Sequence, residues 1–340
     1  MNGYQRIESA LRGIKPDSVP IMLHNFMMAA AEAGFSQAEY RNDPKKIARS
    51  FIKAIETYEY DGVLVDVDTV TLADAVGVPV DFPENEPARS YKGMLEHISE
   101  VEQLAPVDLE DNKRVMVLLE SVRLLKDHFK NEVFIRGNCD QAPFSLASSM
   151  RTPQNWMMDL ADSRGYVTDL LEYCSNITCQ MIKLMVQTGA DMVSNGDSPA
   201  GPAMISPEMY REFALPYEKR CVEESHKVGV PYALHICGDT TMILEDMLKT
   251  GADALELDHM INIKKAKIVC QDKACFIGNI DPSGVLALGT VEDVRRKTEE
   301  LISVFRDSPR FILNAGCAMS RATPSQNLLA MIDASRSYVY

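Results

Sequence analysis

Eight times along the chain, a short run rich in apolar and β-branched residues ends in polar residues and gives way to a helical pattern. The runs are Val19–Asn25, Asp61–Asp68, Val133–Cys139, Ala190–Asp197, Val230–Gly238, Ala252–His259, Ala274–Asp281 and Arg310–Cys317. Near-continuous apolar runs suit parallel strands covered on both faces. Apolar residues near helical spacing fill Phe51–Tyr60, Tyr166–Gly189, Thr241–Thr250 and Val291–Phe305. Gly189 and Gly251 stand where a helix would end before the next strand. Alternation of strand and helix implies a parallel sheet.

A doubly wound open sheet would need a Gly-rich phosphate turn after an early strand. The first run instead leads into HNFMMAAAEAGF. A count of eight therefore favours a single (β/α)₈ barrel over residues 1–340, with an N-terminal helical extension and an insertion around 83–130. A barrel of this type needs about 250 residues and tolerates insertions, so 340 residues do not require two domains.

Composition excludes several function classes. The formal net charge is −14 and no Lys/Arg run stands out, which argues against nucleic-acid binding and an anionic membrane surface. MNGYQRIESALRG lacks a signal-peptide apolar core, and no apolar run nears the ~20 residues of a membrane helix. A cytoplasmic protein is expected. Eight cysteines in such a chain do not suggest a disulfide framework. The 19 methionines, Met27, Met28, Met157 and Met158 among them, are read as core packing.

Barrel chemistry sits at the C-terminal strand ends. Here those ends carry His24, Asp66, Asp68, Arg136, Asn138, Asn195 and Asp197. They also carry His235, Cys237, Glu256, Asp258, His259, Asn279, Asp281, Asn314 and Cys317. In a strand, His235 and Cys237 point to the same side. Cys317 ends the eighth run and borders the same mouth. A His-x-Cys pair alone is a weak signal, and Cys317 alone would be read as a buried thiol. Their joint placement carries the metal reading.

One imidazole and two thiolates suit zinc, and three ligands from distant segments suit a catalytic ion with an open position. Water, a substrate thiolate or Glu256 would each fit as the fourth ligand. Glu256, Asp258 or His259 could alternatively support the zinc imidazole from behind, although His259, on the opposite strand face, reads first as structural. Cys174, Cys179 and Cys221 fall in helical patterns, Cys270 and Cys275 flank the wrong end of a strand, and Cys139 is a neighbour.

Five segments carry a family resemblance: Arg6–Leu23, Asp66–Phe82, Ser206–Lys219, LHICGDT at 234–240 and GNIDP at 278–282. They resemble the uroporphyrinogen decarboxylase superfamily, which implies a (β/α)₈ barrel. Its decarboxylases carry an RQAGR-like motif where this chain has HNFMMAAAEAG, so the arginines are missing. Asp68 does lie where the decarboxylase Asp would fall. The other branch holds zinc-dependent, corrinoid-linked methyltransferases, including methylcobamide:coenzyme M methyltransferases. Their His-x-Cys and late Cys are matched by His235, Cys237 and Cys317.

The resemblance implies methyl transfer between a corrinoid, such as methylcobalamin, and a small thiol such as coenzyme M. No DxHxxG-type cobalamin stretch occurs, so a corrinoid protein is the expected partner. Asp68 and Asp197 are candidate catalytic or orienting groups. His24, Asn279 and Asp281 are candidate substrate contacts. A substrate-side methyltransferase feeding Co(I) and a decarboxylase remain the alternative readings. A non-catalytic protein with a closed, four-ligand zinc is a third.

Overall fold

The computed structural model describes residues 1–338. Eight parallel strands follow one another around a barrel. They are β1 (Met22–Leu23), β2 (Gly62–Val65), β3 (Phe134–Gln141) and β4 (Met192–Gly196). Then come β5 (Tyr232–Ile236), β6 (Ala254–Leu257), β7 (Cys275–Ile280) and β8 (Phe311–Ala315). A parallel bridge between Ile21 and Leu313 joins the first strand to the last. Seven of the eight runs read from the sequence hold one of these strands whole, and β3 continues two residues past Cys139 to Gln141.

The intervening helices begin where local chemistry dictates. The Asp43 side chain accepts from the Lys45 and Lys46 amides and opens helix Pro44–Tyr58. Thr290 and Asp293 form a reciprocal capping box at the start of Val291–Phe305. Gly189 (φ 87°) and Gly251 (φ 86°) turn the chain from helix back to strand in the left-handed region. Residues 83–130 hold one strand of a small antiparallel pair (Val80–Asp81 with Arg89–Ser90), two 3₁₀ turns and helix Lys113–Phe129. That helix packs beside Pro44–Tyr58 on the barrel's outside.

The barrel interior changes character along its axis. Met22, Phe134, Met192, Ala233, Ala254, Cys275 and Ile312 form an apolar floor. Helix α1 (Gly3–Arg12) presses Ile7 and Ala10 against it and closes the bottom. Gly62 completes this closure, because a Cβ there would stand 2.5 Å from Ile7 Cδ1 and 2.8 Å from the Phe134 carbonyl oxygen. Two residues further up each strand, on the same side, stand His24, Leu64, Arg136, Ser194, His235, Glu256, Ile277 and Asn314. The apolar floor thus gives way to a largely polar layer under the C-terminal mouth. No helix among the described residues is long and apolar enough to cross a membrane.

Candidate metal centre

His235 lies on β5 and Cys237 immediately follows that strand. His235 Nε2 is 3.0 Å from Cys237 Sγ, and Cys237 Sγ is 3.7 Å from Cys317 Sγ. The three donor atoms lie within 4.8 Å of one another. Two thiolates on one tetrahedral zinc, at Zn–S about 2.3 Å, stand roughly 3.8 Å apart. The observed sulfur separation therefore fits a shared ion. His235 Nδ1 lies 3.0 Å from the backbone carbonyl oxygen of Glu256. That oxygen only accepts, so Nδ1 carries the proton and Nε2 is left as the metal donor.

Charge within the cluster is already arranged for metal binding. The hydrogen bond from Cys317 and the neighbouring imidazole hold the Cys237 thiol down at about 3, against the opposing effect of burial. Burial disfavours a charged His235, yet the Cys237 thiolate and Glu256 push it up to about 9. Cys317, next to the Cys237 charge, is raised. One thiolate is therefore present at neutral pH, and a cation would favour the second.

The loops carrying the two sulfurs are pinned. The Gly238 amide donates to Asp258 Oδ2 at 2.9 Å, and the Gly316 amide to the Ile280 carbonyl at 2.8 Å. A Cβ on Gly316 would stand 2.6 Å from the His259 amide nitrogen and 3.2 Å from Asp258 backbone carbon. Backbone cannot yield as a side chain does. Gly316→Ala is expected to displace Cys317 and lower metal affinity about 10- to 100-fold, as loss of other supporting contacts does. Competition with a colorimetric zinc chelator measures this, and unchanged affinity would show that the glycine does not position the ligand.

Glu256 is not free to act as a fourth ligand. Its Oε2 accepts from Arg136 Nη2 at 2.8 Å and its Oε1 from Asn314 Nδ2 at 2.7 Å. Burial alone would raise this carboxyl, but Arg136 and His235 bring it down to about 2. Its support for His235 comes chiefly through its backbone oxygen.

A cavity of about 310 Å³ opens over the three donors. His24 lines it, with Nε2 2.7 Å from Asp66 Oδ2. Asp66 is the carboxylate of that strand end that faces the cavity, and its Oδ1 accepts from Asn138 Nδ2 at 2.8 Å. Asp68 instead turns into the following loop, where Oδ1 accepts from the Val70 amide and the Thr71 hydroxyl, both at 3.1 Å. Burial raises its pKa.

Asp197 also departs from expectation. It is fully buried behind the wall, with Oδ1 accepting from the Ser145 amide and hydroxyl, both at 2.7 Å. Burial pushes its pKa up to about 6, against the opposing hydrogen bonds from Ser145 and Glu218. The arrangement fits a bracing carboxyl, and Asp197 is not among the residues that line the cavity.

Asn279 and Asp281 line a different cavity, of about 470 Å³, with His259 and Lys297. Asn279 Nδ2 donates to the Asp258 carbonyl at 3.0 Å, and Asp281 Oδ1 caps the Ser283 and Gly284 amides, both at 2.9 Å. Neither reaches the metal cavity. Arg136 is the group that sequence reasoning passed over as one strand-end residue among many. Its two-residue offset from the apolar Phe134 is the signal that places it inside.

A parallel barrel with an imidazole and two thiols gathered at its C-terminal mouth is the architecture of an enzyme with a metal-type site. The uroporphyrinogen decarboxylase (URO-D) family model matches residues 3–338, and the chain belongs to this family. It is 29% identical to the methylcobamide:CoM methyltransferase MtbA of Methanosarcina acetivorans, over 99% of this chain and 98% of that protein. It is 25% identical to a uroporphyrinogen decarboxylase of Prochlorococcus marinus, over 89% and 87%. Among solved structures, a methyltransferase from Methanosarcina mazei superposes with a TM-score of 0.90 at 23% identity, covering 99% of both chains, which shows the shared fold.

Proposed function

We propose that the chain is a zinc-dependent methyltransferase that moves a methyl group between a corrinoid and a small thiol such as coenzyme M. The observation that carries this is the convergence of His235, Cys237 and Cys317 donors within 4.8 Å at the mouth. Full-length similarity to a protein named methylcobamide:CoM methyltransferase supports it. A zinc ion held by these residues would keep an acceptor thiol as thiolate near neutral pH.

The chain's own residues do the rest. His235 is oriented by the Glu256 carbonyl, and the pinned loops keep both sulfurs facing the cavity. The cavity walls align the acceptor and limit water. The acceptor sulfur forms a bond to the methyl carbon as the cobalt–carbon bond breaks. The bonding pair stays on cobalt as Co(I), and the thiol proton has already left to solvent. A leaving group of this kind needs no strong acid, which agrees with Asp68 and Asp197 lying outside the cavity.

We read the corrinoid as presented by a separate protein at the open mouth. The eight free thiols suit a reducing cytoplasm. The decarboxylase reading is weaker, because one guanidinium lines the cavity and it is already paired with Glu256.

The test is elemental analysis of the purified chain followed by a methylcobalamin:thiol assay. The expected result is about one zinc per chain, with transfer lost on chelation and restored by zinc. Metal-independent release of CO₂ from a porphyrinogen, with no thiol methylated, would overturn the proposal.

A further inference from the structure

One imidazole on the cavity wall has no part in the three-donor cluster. His24, just past β1, lines the cavity together with Cys237 and Cys317. Its backbone ties it to the metal side of the mouth. The His24 carbonyl accepts from the Met319 amide at 2.8 Å, in the loop that carries Cys317. The His24 amide donates to Asn314 Oδ1 on β8 at 3.3 Å.

The ring is held on two sides. Nε2 lies 2.7 Å from Asp66 Oδ2, and the ring stacks on Phe26 with centroids 5.5 Å apart. Asp66 is itself fixed. Its Oδ1 accepts from Asn138 Nδ2 at 2.8 Å and from the Val67 amide at 2.7 Å, which leaves Oδ2 to the imidazole. A carboxylate only accepts, so the unprotonated ring keeps its N–H on Nε2 and its lone pair on Nδ1. Among the described residues none bonds Nδ1. A free ring nitrogen on a cavity wall, with a carboxylate orienting the ring from behind, is the arrangement of a general base.

Methyl transfer has one proton that needs such a carrier. The acceptor enters as a thiol and reacts as a thiolate. The carboxylates of the cavity are engaged elsewhere. Glu256 lies within electrostatic reach of His24 but is bound to Arg136 and Asn314. Asp140 accepts from the Leu72 amide at 2.7 Å.

We infer that His24 is the base that takes the acceptor thiol's proton, with Asp66 as its positioning residue. The S–H bond breaks, the bonding pair stays on sulfur, and the proton moves to His24 Nδ1. The Nε2 proton stays between His24 and Asp66. The imidazolium then gives the Nδ1 proton to solvent at the mouth, where the His24 side chain is 12% exposed. The inference rests on the methyl-transfer reading for its substrate, and its first test needs neither metal nor turnover.

Imidazole-nitrogen NMR of the metal-free protein reads the tautomer. Wild-type His24 is expected in the Nε2–H form. In Asp66→Asn the two donors on Oδ1 keep the amide oxygen, so the amide nitrogen faces the ring and His24 is expected to turn to Nδ1–H. Mixing the zinc-loaded enzyme with 2-mercaptoethanol and a pH indicator, without any corrinoid, then follows proton release. His24→Ala is expected to slow that release about 100-fold, the low end of what a general base contributes. Its kcat/KM for methyl transfer from methylcobalamin to 2-mercaptoethanol should fall by the same factor, and imidazole in the buffer should restore part of it. The thiol 4-nitrothiophenol is already ionised at neutral pH and needs no base, so its methylation should be equal in variant and wild type.

An Nδ1–H tautomer in the wild type, or proton release that is absent there or unchanged in His24→Ala, would overturn the base. An equal loss with both thiols would make His24 a structural residue. Release that depends on His24 in a protein that methylates no thiol would uphold the base and remove methyl transfer.

Discussion

Cys317→Ala protein is expected to fold as the wild-type barrel and to carry far less than one zinc per chain. The proposed ligand set is split between two distant segments, with His235 and Cys237 on one and Cys317 on the other. Deleting Cys317 leaves two donors, too few for a closed or a catalytic zinc site. Loss of even an outer supporting group costs about 10–100-fold in metal affinity, so loss of a ligand should exceed ~100-fold. Methyl transfer to a thiol should fall with it.

The barrel has little stake in this sulfur. Cys317 is half-buried on the rim, beyond the end of β8, and the apolar floor that closes the barrel lies at the opposite end. Removing a rim thiol away from the core should therefore change stability by less than about 1 kcal/mol. Metal analysis and a urea denaturation curve on the same preparation separate the two effects. An unfolded variant would make the metal structural. Undiminished zinc would remove Cys317 from the ligand set.

The fold was legible because each strand ends in polar residues at the same end, which only a mouth requires. The grouping of His235, Cys237 and Cys317, whose donor atoms lie within 4.8 Å of one another, was legible for a related reason. His235 and Cys237 differ by two positions, so one strand face carries both whatever its phase. The remaining site residues depended on a phase that the sequence hides. Strands buried on both faces show no alternation between inside and outside. Asn195 and Asp197 differ by an odd number from Ser194, which faces in, so both turn outward. Asp66 keeps the inward phase of Leu64, whereas Asp68 falls after the chain has left the strand and serves the turn. Asn279 shares the parity of Ile277, yet its amide reaches sideways to the Asp258 carbonyl. Pairings such as Arg136 with Glu256 join residues 120 apart in sequence, and nothing local announces them.

That pair yields the second large effect. Glu256→Ala is expected to cost about 3–5 kcal/mol, because it leaves the Arg136 charge buried without its counter-ion. Arg136 is 1% exposed and Glu256 1%. The Asn314 amide loses its acceptor at 2.7 Å in the same change. Arg136→Met combined with Glu256→Met should recover most of that loss, since a buried ion pair replaced by apolar side chains of similar size is often neutral or stabilising. The two denaturation midpoints, compared at equal slope, decide the matter.

Metal content supplies an independent readout. His235 is oriented by the backbone carbonyl of Glu256, which every side-chain substitution preserves. The double variant is therefore expected to retain its zinc while losing the charged floor beneath it. A loss below about 1 kcal/mol in Glu256→Ala would mean that the guanidinium finds another anion or water. Loss of zinc from the stable double variant would mean that the carboxylate, and not the carbonyl, is what holds the imidazole in place.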